Sequence, residues 1–488
     1  MARVVSPWLL AVATVAAACG SHPPPQRIPD PPKEGKFVAP MRAAITPLFE
    51  QEILRGGMVV ALIDGTAVDY VGFGEGVGDA APGADDVFEI GSVSKVFTAL
   101  LLADAAARGA VTLDTPVIQL LPFGVRFPER DGVRPTLEQL ATHRAGLPPL
   151  PDNLDPTAPD PYAHYGEAEL YAYLEHAELL FTPGTAYSYS NLGAGILGHV
   201  LARTLGTSYA DAVTTRILEP LGLHHTWTEV PAAEQARIVP GHTAGGAAAG
   251  PWTFDVLAGA GAWRSTARDM ATLVRAALDA TGGKDGPLAE VLRTSFVPMA
   301  DAGGDGDGMK VALGWHVTGA GVVWHNGMTG GYASFVGFDP ETGRGVVILG
   351  SAASPLVTRL GIGAFDVFAG GDLDLDLRLV ELPAADLDRL VGAYRLGDGQ
   401  QLRVERSGKG LALVLGDEEV RLFPRSATEF LIMELEASVT FVVEDDVVRG
   451  FVLNLPDGQV PAERVPDDSV TAPPPAPPPA APVPGGAP

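Results

Sequence analysis

Phe88-Glu89-Ile90-Gly91-Ser92-Val93-Ser94-Lys95 leads into a run that contains neither proline nor glycine until Gly109. Ser92 to Arg108 therefore reads as a helix that Gly109 stops. Val93, Val96, Phe97, Leu100 and Leu101 spread around its whole circumference, the pattern of a buried helix. Ser92 and Lys95 are three apart, so both side chains leave one face of the first turn. A serine hydroxyl is a poor nucleophile until a neighbour takes its proton. A lysine amine can take it if burial lowers its pKa, and a helix N-terminus favours the developing alkoxide. The chain has six lysines, and this is its one Ser-x-x-Lys. Alone, the motif reads equally well as a serine helix cap beside a solvent-facing lysine.

On the N-terminal side, Met58 to Ile63 and Ala67 to Phe73 flank Asp64-Gly65, a hairpin signal. On the C-terminal side, residues 136 to 280 alternate helical runs with Gly/Pro loops. Strand-like runs then return at Gly321–Trp324, Tyr332–Phe338 and Gly345–Leu349. Sheet, helical insertion and sheet again predict an α+β unit: an antiparallel sheet flanked by helices, with a helical subdomain, over residues 42–368. A second unit, 385–466, has six short β-rich runs: Leu402–Val404, Leu411–Leu415, Val420–Phe423, Phe430–Met433, Val439–Val443 and Val448–Leu453. That spacing predicts an antiparallel β domain, a meander or small barrel.

The 488 residues suffice for a catalytic unit plus an accessory one. The formal charge of -26 repels nucleic acid, so no nucleic-acid partner is expected. Arg3 precedes an apolar run from Trp8 to Ala18 that is too short to span a bilayer, so residues 1–18 read as a signal peptide. Cys19, the sole cysteine, follows Ala16-Ala17-Ala18. This resembles a bacterial lipobox with Cys19 as the lipidated residue, although Ala16 stands where a large apolar residue is usual. The other reading is an ordinary signal peptide with an incidental cysteine. Residues 19–41 are proline-rich and read as a tether, and 467–488 as a disordered Pro/Ala tail. The expected location is the cell envelope, anchored to a membrane by an N-terminal lipid and facing the periplasm or the extracellular side.

Two further motifs bear on the Ser-x-x-Lys. Pro183-Gly184-Thr185-Ala186-Tyr187-Ser188-Tyr189-Ser190-Asn191 contains Tyr189-x-Asn191, and His325-Asn326-Gly327 precedes a Gly-rich turn and Tyr332. With Phe88–Lys95, these segments resemble the serine β-lactamase and penicillin-binding protein family, with its class C β-lactamase, esterase and D-alanyl peptidase relatives. Thr142-His143-Arg144-Ala145-Gly146-Leu147-Pro148 and Arg264-Ser265-Thr266-Ala267-Arg268-Asp269-Met270 resemble structural signatures of that family.

The resemblance implies a β-lactamase/transpeptidase-like fold and an acyl-enzyme mechanism with no cofactor and no metal. Ser92 would attack a carbonyl, and Lys95 and Tyr189 would share proton transfer. Asn191 would hold Lys95 and the substrate amide, and His325 and Asn326 would line the far wall of the cleft. The N–H groups of Ser92 and Met328, the latter directly after Gly327, would form the oxyanion hole. The substrate would be a small molecule or a peptide. His325 stands where the family has the lysine of Lys-Thr-Gly or the histidine of His-x-Gly. It would supply at most a pH-dependent charge, which places esters or amides ahead of penicillins, with the gap narrowing toward about pH 6. The C-terminal unit resembles the lipocalin-like domains appended to such hydrolases. The alternatives are a catalytically weak penicillin-binding sensor and a cell-wall binding lipoprotein. Oligomeric state is open. No Gly-x-Ser-x-Gly elbow and no His-Glu-x-x-His is present.

Overall fold

The structure, a computed structural model, describes residues 34–466 except 79, 304–307, 398, 409, 416–417, 434–436 and 456–457. The signal segment, Cys19, the tether as far as residue 33 and the tail 467–488 lie outside the described residues.

The chain opens with helix α1 (Val38–Glu50) and the hairpin β1 (Gly57–Asp64) and β2 (Ala67–Gly74). Residues 38–41, assigned to the tether by composition, instead form the first turn of α1. The reason is their spacing: Val38, Met41, Ile45 and Leu48 make one buried stripe. Pro40 falls in the first turn, where its missing N–H has no intrahelical acceptor to lose. A short strand β3 (Val87–Glu89) then leads through a 3₁₀ turn, Gly91–Val93, into α2 (Ser94–Ala107). Every residue of α2 from Ser94 to Ala105 is buried.

The insertion carries α3 (Leu137–Ala141), α4 (Glu167–Leu174), α5 (Asn191–Leu205), α6 (Tyr209–Val213) and α7 (Glu219–Leu221). Strand β4 (Arg264–Thr266) pairs with β3 and hands over to α8 (Ala267–Thr281) and α9 (Ala289–Ser295). The main sheet is completed by β5 (Ala300–Asp301), β6 (Lys310–Ala312), β7 (Trp315–Val317), β8 (Val323–Met328), β9 (Ala333–Asp339) and β10 (Arg344–Gly350), with α10 (Leu356–Phe368) behind it. Its order is β2-β1-β10-β9-β8-β7-β6-β5, antiparallel throughout. The N-terminal hairpin thus pairs with the last strand of the unit, across the helical insertion.

Alternate residues of β1 explain why both faces of the sheet are covered. Val59, Ala61 and Ile63 face a core shared with α2, α8 and the insertion. Met58, Val60 and Leu62 face a second core under α1 and α10. A strand boundary also differs from the sequence reading. The strand expected to end at Trp324 runs on to Met328, because His325, Asn326 and Gly327 pair with Val336, Phe335 and Ser334 of β9.

After α11 (Ala384–Asp388), eight strands close a barrel: β11 (Gly392–Leu396), β12 (Gln401–Ser407), β13 (Gly410–Leu415), β14 (Glu418–Pro424), β15 (Glu429–Ile432), β16 (Ala437–Glu444), β17 (Val447–Leu455) and β18 (Gly458–Val465). Tyr394, Phe430, Phe441 and Phe451 fill its interior, with neighbouring ring centroids 5.1–6.0 Å apart. The barrel is docked. Phe423 and Met433 belong to the core under α10, Arg421 Nη1 donates to Glu52 O at 2.7 Å, and Arg425 Nη2 donates to Asp376 O at 3.0 Å.

Candidate active site

The nucleophile turn and the end of β8 interlock through two glycines. Gly91 has φ +49°, and a Cβ there would stand 2.7 Å from Met328 N. A Cβ on Gly327 would stand 2.0 Å from Ile90 O and 2.9 Å from Ser92 N. Only residues without a Cβ let these backbones approach so closely, and the approach brings the amides of Ser92 and Met328 together. Ser334 Oγ donates to Ile90 O at 2.7 Å and fixes the same junction from β9.

Lys95 lies at the centre of the site, only 3% exposed. Its Nζ is 2.8 Å from Ser92 Oγ, 2.7 Å from Asn191 Oδ1 and 2.7 Å from Ala260 O. Burial lowers its pKa well below the ordinary lysine value, and no carboxylate offsets the effect. A neutral amine has two hydrogens and one lone pair. The amide oxygen of Asn191 and the carbonyl of Ala260 can only accept, so they take the hydrogens, and the lone pair is left for the Ser92 hydroxyl proton. Ala260 had no signal in the sequence. Its carbonyl reaches Lys95 because Gly198 and Gly259 let α5 and the 258–260 turn pack backbone to backbone.

Tyr189 and Asn191 are held by the loop 143–149. Ser190 caps α5, its Oγ accepting from Gly193 N at 2.9 Å and donating to Pro148 O at 2.6 Å, and Asn191 N donates to Pro149 O at 3.0 Å. Burial pushes the pKa of Tyr189 up, against a smaller opposing effect of the Ser92 side chain, so the phenol keeps its proton. Lys95 Nζ lies 5.0 Å from the centre of the Tyr189 ring.

The third motif divides between the two faces of the sheet. His325 faces the cleft, its ring 6.4 Å from that of Tyr189. Asn326 does not line the cleft. Successive strand residues point to opposite faces, and Asn326 Nδ2 donates to Thr358 Oγ1 of α10 at 2.8 Å. The expectation for Asn326 is corrected accordingly. Met328 adjoins the nucleophile through its backbone, while its side chain is half exposed.

Two histidines that sequence motifs did not assign to the site join it. His143 and His316 lie against Tyr189, with ring centroids at 4.3 and 6.5 Å, and His316 Nε2 is 3.1 Å from the Tyr187 hydroxyl. His143 falls inside the Thr142–Pro148 signature. His316 sits in a three-residue strand with no motif around it.

A hydrogen bond fixes one of the three imidazoles as uncharged, and burial opposes charge on all three. His325 Nδ1 is 2.5 Å from the Asn326 carbonyl, which can only accept, so Nδ1 carries a hydrogen, while the buried Nε2 has no hydrogen-bond partner among the described residues. His143 Nδ1 accepts the Ser190 N–H at 3.1 Å, so its hydrogen is on Nε2. Burial, aided by Lys95 and by neighbouring imidazoles, lowers His325 and His143 well below the usual histidine value, and burial with Lys95 brings His316 to about 4. A pH-dependent positive charge at His325 was expected. Near neutrality the wall carries none. Among the described residues, no group of three or more His, Cys, Asp or Glu side chains is arranged to hold a metal ion.

A buried serine–lysine pair at a helix start, beside a strand of an antiparallel sheet whose last amide meets that of the serine, is the apparatus of a serine acyl hydrolase. A beta-lactamase family profile matches residues 41–365, and the chain belongs to that family of serine hydrolases. It is 28% identical to a beta-lactamase of Escherichia coli (strain K12), over 71% of this chain and 94% of the relative. It is 27% identical to the D-alanyl-D-alanine-carboxypeptidase/endopeptidase AmpH of the same organism, over 65% of this chain and 83% of the relative. An octameric penicillin-binding protein homologue from Pyrococcus abyssi shares the fold with a TM-score of 0.60, at 21% identity, over 87% of this chain and 99% of its own.

Proposed function

We propose that this enzyme is exported and cleaves ester or amide carbonyls of small molecules or peptides through an acyl-enzyme on Ser92. Lys95 accepts the Ser92 hydroxyl proton as Oγ bonds to the carbonyl carbon. The N–H groups of Ser92 and Met328 receive the oxyanion. The proton passes from Lys95, by way of the Tyr189 hydroxyl, to the leaving group as the tetrahedral adduct collapses. Water then adds to the acyl carbon, and the reverse transfer frees Ser92. Asn191 holds Lys95 and meets the substrate amide. The observation that carries this reading is the pair of acceptors beside Lys95 Nζ, Asn191 Oδ1 and Ala260 O, which leaves the amine lone pair to Ser92 Oγ.

His325 offers a substrate carboxylate no cation, so neutral esters and amides rank ahead of penicillins. Intact-mass analysis with a fluorophosphonate tests the nucleophile. Wild type should gain one adduct and Ser92→Ala none, and labelling of the alanine variant at the wild-type rate would refute the assignment. A penicillin adduct that persists for hours would point to a sensor instead of a turning-over hydrolase.

The same reading places Cys19 as the lipidated N-terminus that holds the enzyme at the envelope. A single acyl chain binds only marginally, so firm anchoring requires the full lipoprotein modification. Cys19→Ser should move the protein to the soluble fraction, and unchanged fractionation refutes the anchor.

A further inference from the structure

The stretch Thr142–Pro148 supplies no group to the mechanism above, yet His143 encloses Tyr189 from three directions. Its carbonyl accepts the N–H of Ser188 at 2.9 Å, the residue before Tyr189. Its Nδ1 accepts the N–H of Ser190 at 3.1 Å, the residue after. Its ring lies against the Tyr189 ring, centroids 4.3 Å apart and planes 35° apart. All three contacts depend on the backbone of His143 being left-handed, φ +57°. A side-chain-bearing residue adopts that conformation at a steric cost, which persists only where the surroundings enforce it. The side chain is 5% exposed and enclosed by Tyr187 as well, at 5.9 Å.

A tyrosine hydroxyl swings through several ångströms when its backbone or ring plane turns. The proton path needs that hydroxyl at hydrogen-bond distance from Ser92. We propose that His143 is a positioning residue for Tyr189, fixing the backbone on both sides and the ring plane so that the phenol stays aimed at Ser92. It never meets substrate or exchanges a proton. The inference rests on Tyr189 carrying the proton in the proposed mechanism.

The test is a double-mutant cycle on p-nitrophenyl acetate hydrolysis with His143→Asn, Tyr189→Phe and the double variant. Asparagine tolerates the left-handed conformation and offers an oxygen near Nδ1, but removes the ring. His143→Asn should lower kcat about tenfold with KM within about twofold, the scale of one misdirected hydrogen bond. On the Tyr189→Phe background the same substitution should cost nothing further. A loss in KM alone, or an equal loss on both backgrounds, overturns the proposal, because a general structural effect would multiply. Wild-type kcat in His143→Asn beside a collapsed kcat in Tyr189→Phe overturns the positioning role while the proposed mechanism stands. Unchanged kcat in Tyr189→Phe removes the proton role of Tyr189 and this inference with it. If His143→Asn does not fold, His143→Phe, which keeps a ring and loses Nδ1, is read by the same cycle.

Discussion

Acidification should weaken the hydrolase unit through its three buried imidazoles. A histidine that titrates near pH ~6.5 when unfolded binds a proton there that its folded form refuses, so stability is lost as pH falls below that value. His316 is held down to about 4, and His143 and His325 lie well below the ordinary value. Passing from about pH 7.5 to about 5.5, each such group costs about 1.3 kcal/mol and the three together about 4 kcal/mol, at ~1.36 kcal/mol per pKa unit. Lys95, also lowered by burial, acts in the same direction. Glu89 and Asp269, raised by burial, act against it. The histidine share is therefore isolated by comparison with His316→Gln and His325→Gln. Urea unfolding followed by tryptophan fluorescence suits the question, because Trp227, Trp252, Trp263, Trp315 and Trp324 all lie in the hydrolase unit and the barrel has none. Each variant should lose about 1.3 kcal/mol less than wild type over the interval. Parallel losses in wild type and both variants would mean that these rings take up protons alike in both states, and the buried neutral wall would be wrong.

Three further outcomes follow from the geometry. The ratio of kcat/KM for nitrocefin to that for p-nitrophenyl acetate should stay flat from about pH 8 to about pH 6, since His325 does not charge there; a relative gain for nitrocefin at the acid end would contradict it. Gly91→Ala should slow fluorophosphonate labelling on the order of 100-fold, because its Cβ must displace the Met328 amide by a large fraction of an ångström; labelling at the wild-type rate would clear that contact of importance. A chain ending near residue 380 should still label but unfold earlier, because the core under α10 loses Phe423 and Met433, each worth about 1.5–3 kcal/mol of burial; a folded truncation that fails to label would mean that the barrel completes the site.

The helix after Ser92 was legible because burial on all sides leaves an all-round apolar pattern, and the hairpin because Asp64-Gly65 sits between two apolar runs. The outer barrel strands were not legible. β11 begins at Gly392 and β18 carries Pro461 among polar residues, so neither shows the alternation of a half-buried strand; pairing with each other and their neighbours makes them strands. Each of the three motifs is a short contiguous segment and so was legible by residue type and order, while their convergence is made by the fold. Asn326 was misplaced because a motif does not record that its middle residue sits on the opposite face of a strand. His316 and the Ala260 carbonyl could not be read at all. One is a lone histidine in a short strand, and the other is a backbone atom whose position depends on two glycines far apart in sequence, Gly198 and Gly259.

The charge balance of the cleft bears on where its catalytic power arises. His143 is held neutral by the Ser190 N–H and by burial, His325 and His316 by burial, Tyr189 keeps its proton, and the nearby Glu89–Arg264 pair is joined at 2.8 Å. Lys95 is then the group at Ser92 whose charge can change near neutrality, with Tyr189 relaying the proton as a neutral hydroxyl. Once it has taken the Ser92 proton it is a buried cation, and the substrate oxygen is its counter-charge, with no standing carboxylate to compete. Among the described residues no side-chain cation other than Lys95 adjoins Ser92, so in the proposed mechanism the backbone amides of Ser92 and Met328 carry the stabilisation of that oxygen, about 2.7–4 kcal/mol per donor in acyl-transfer sites. Their position is set by Gly91 and Gly327, the two places where a single added carbon would force the nucleophile turn and β8 apart. The proton chemistry thus depends on burial and the oxyanion on two glycines. Penicillin, which brings its own carboxylate, adds to this cleft a charge that nothing in the wall answers.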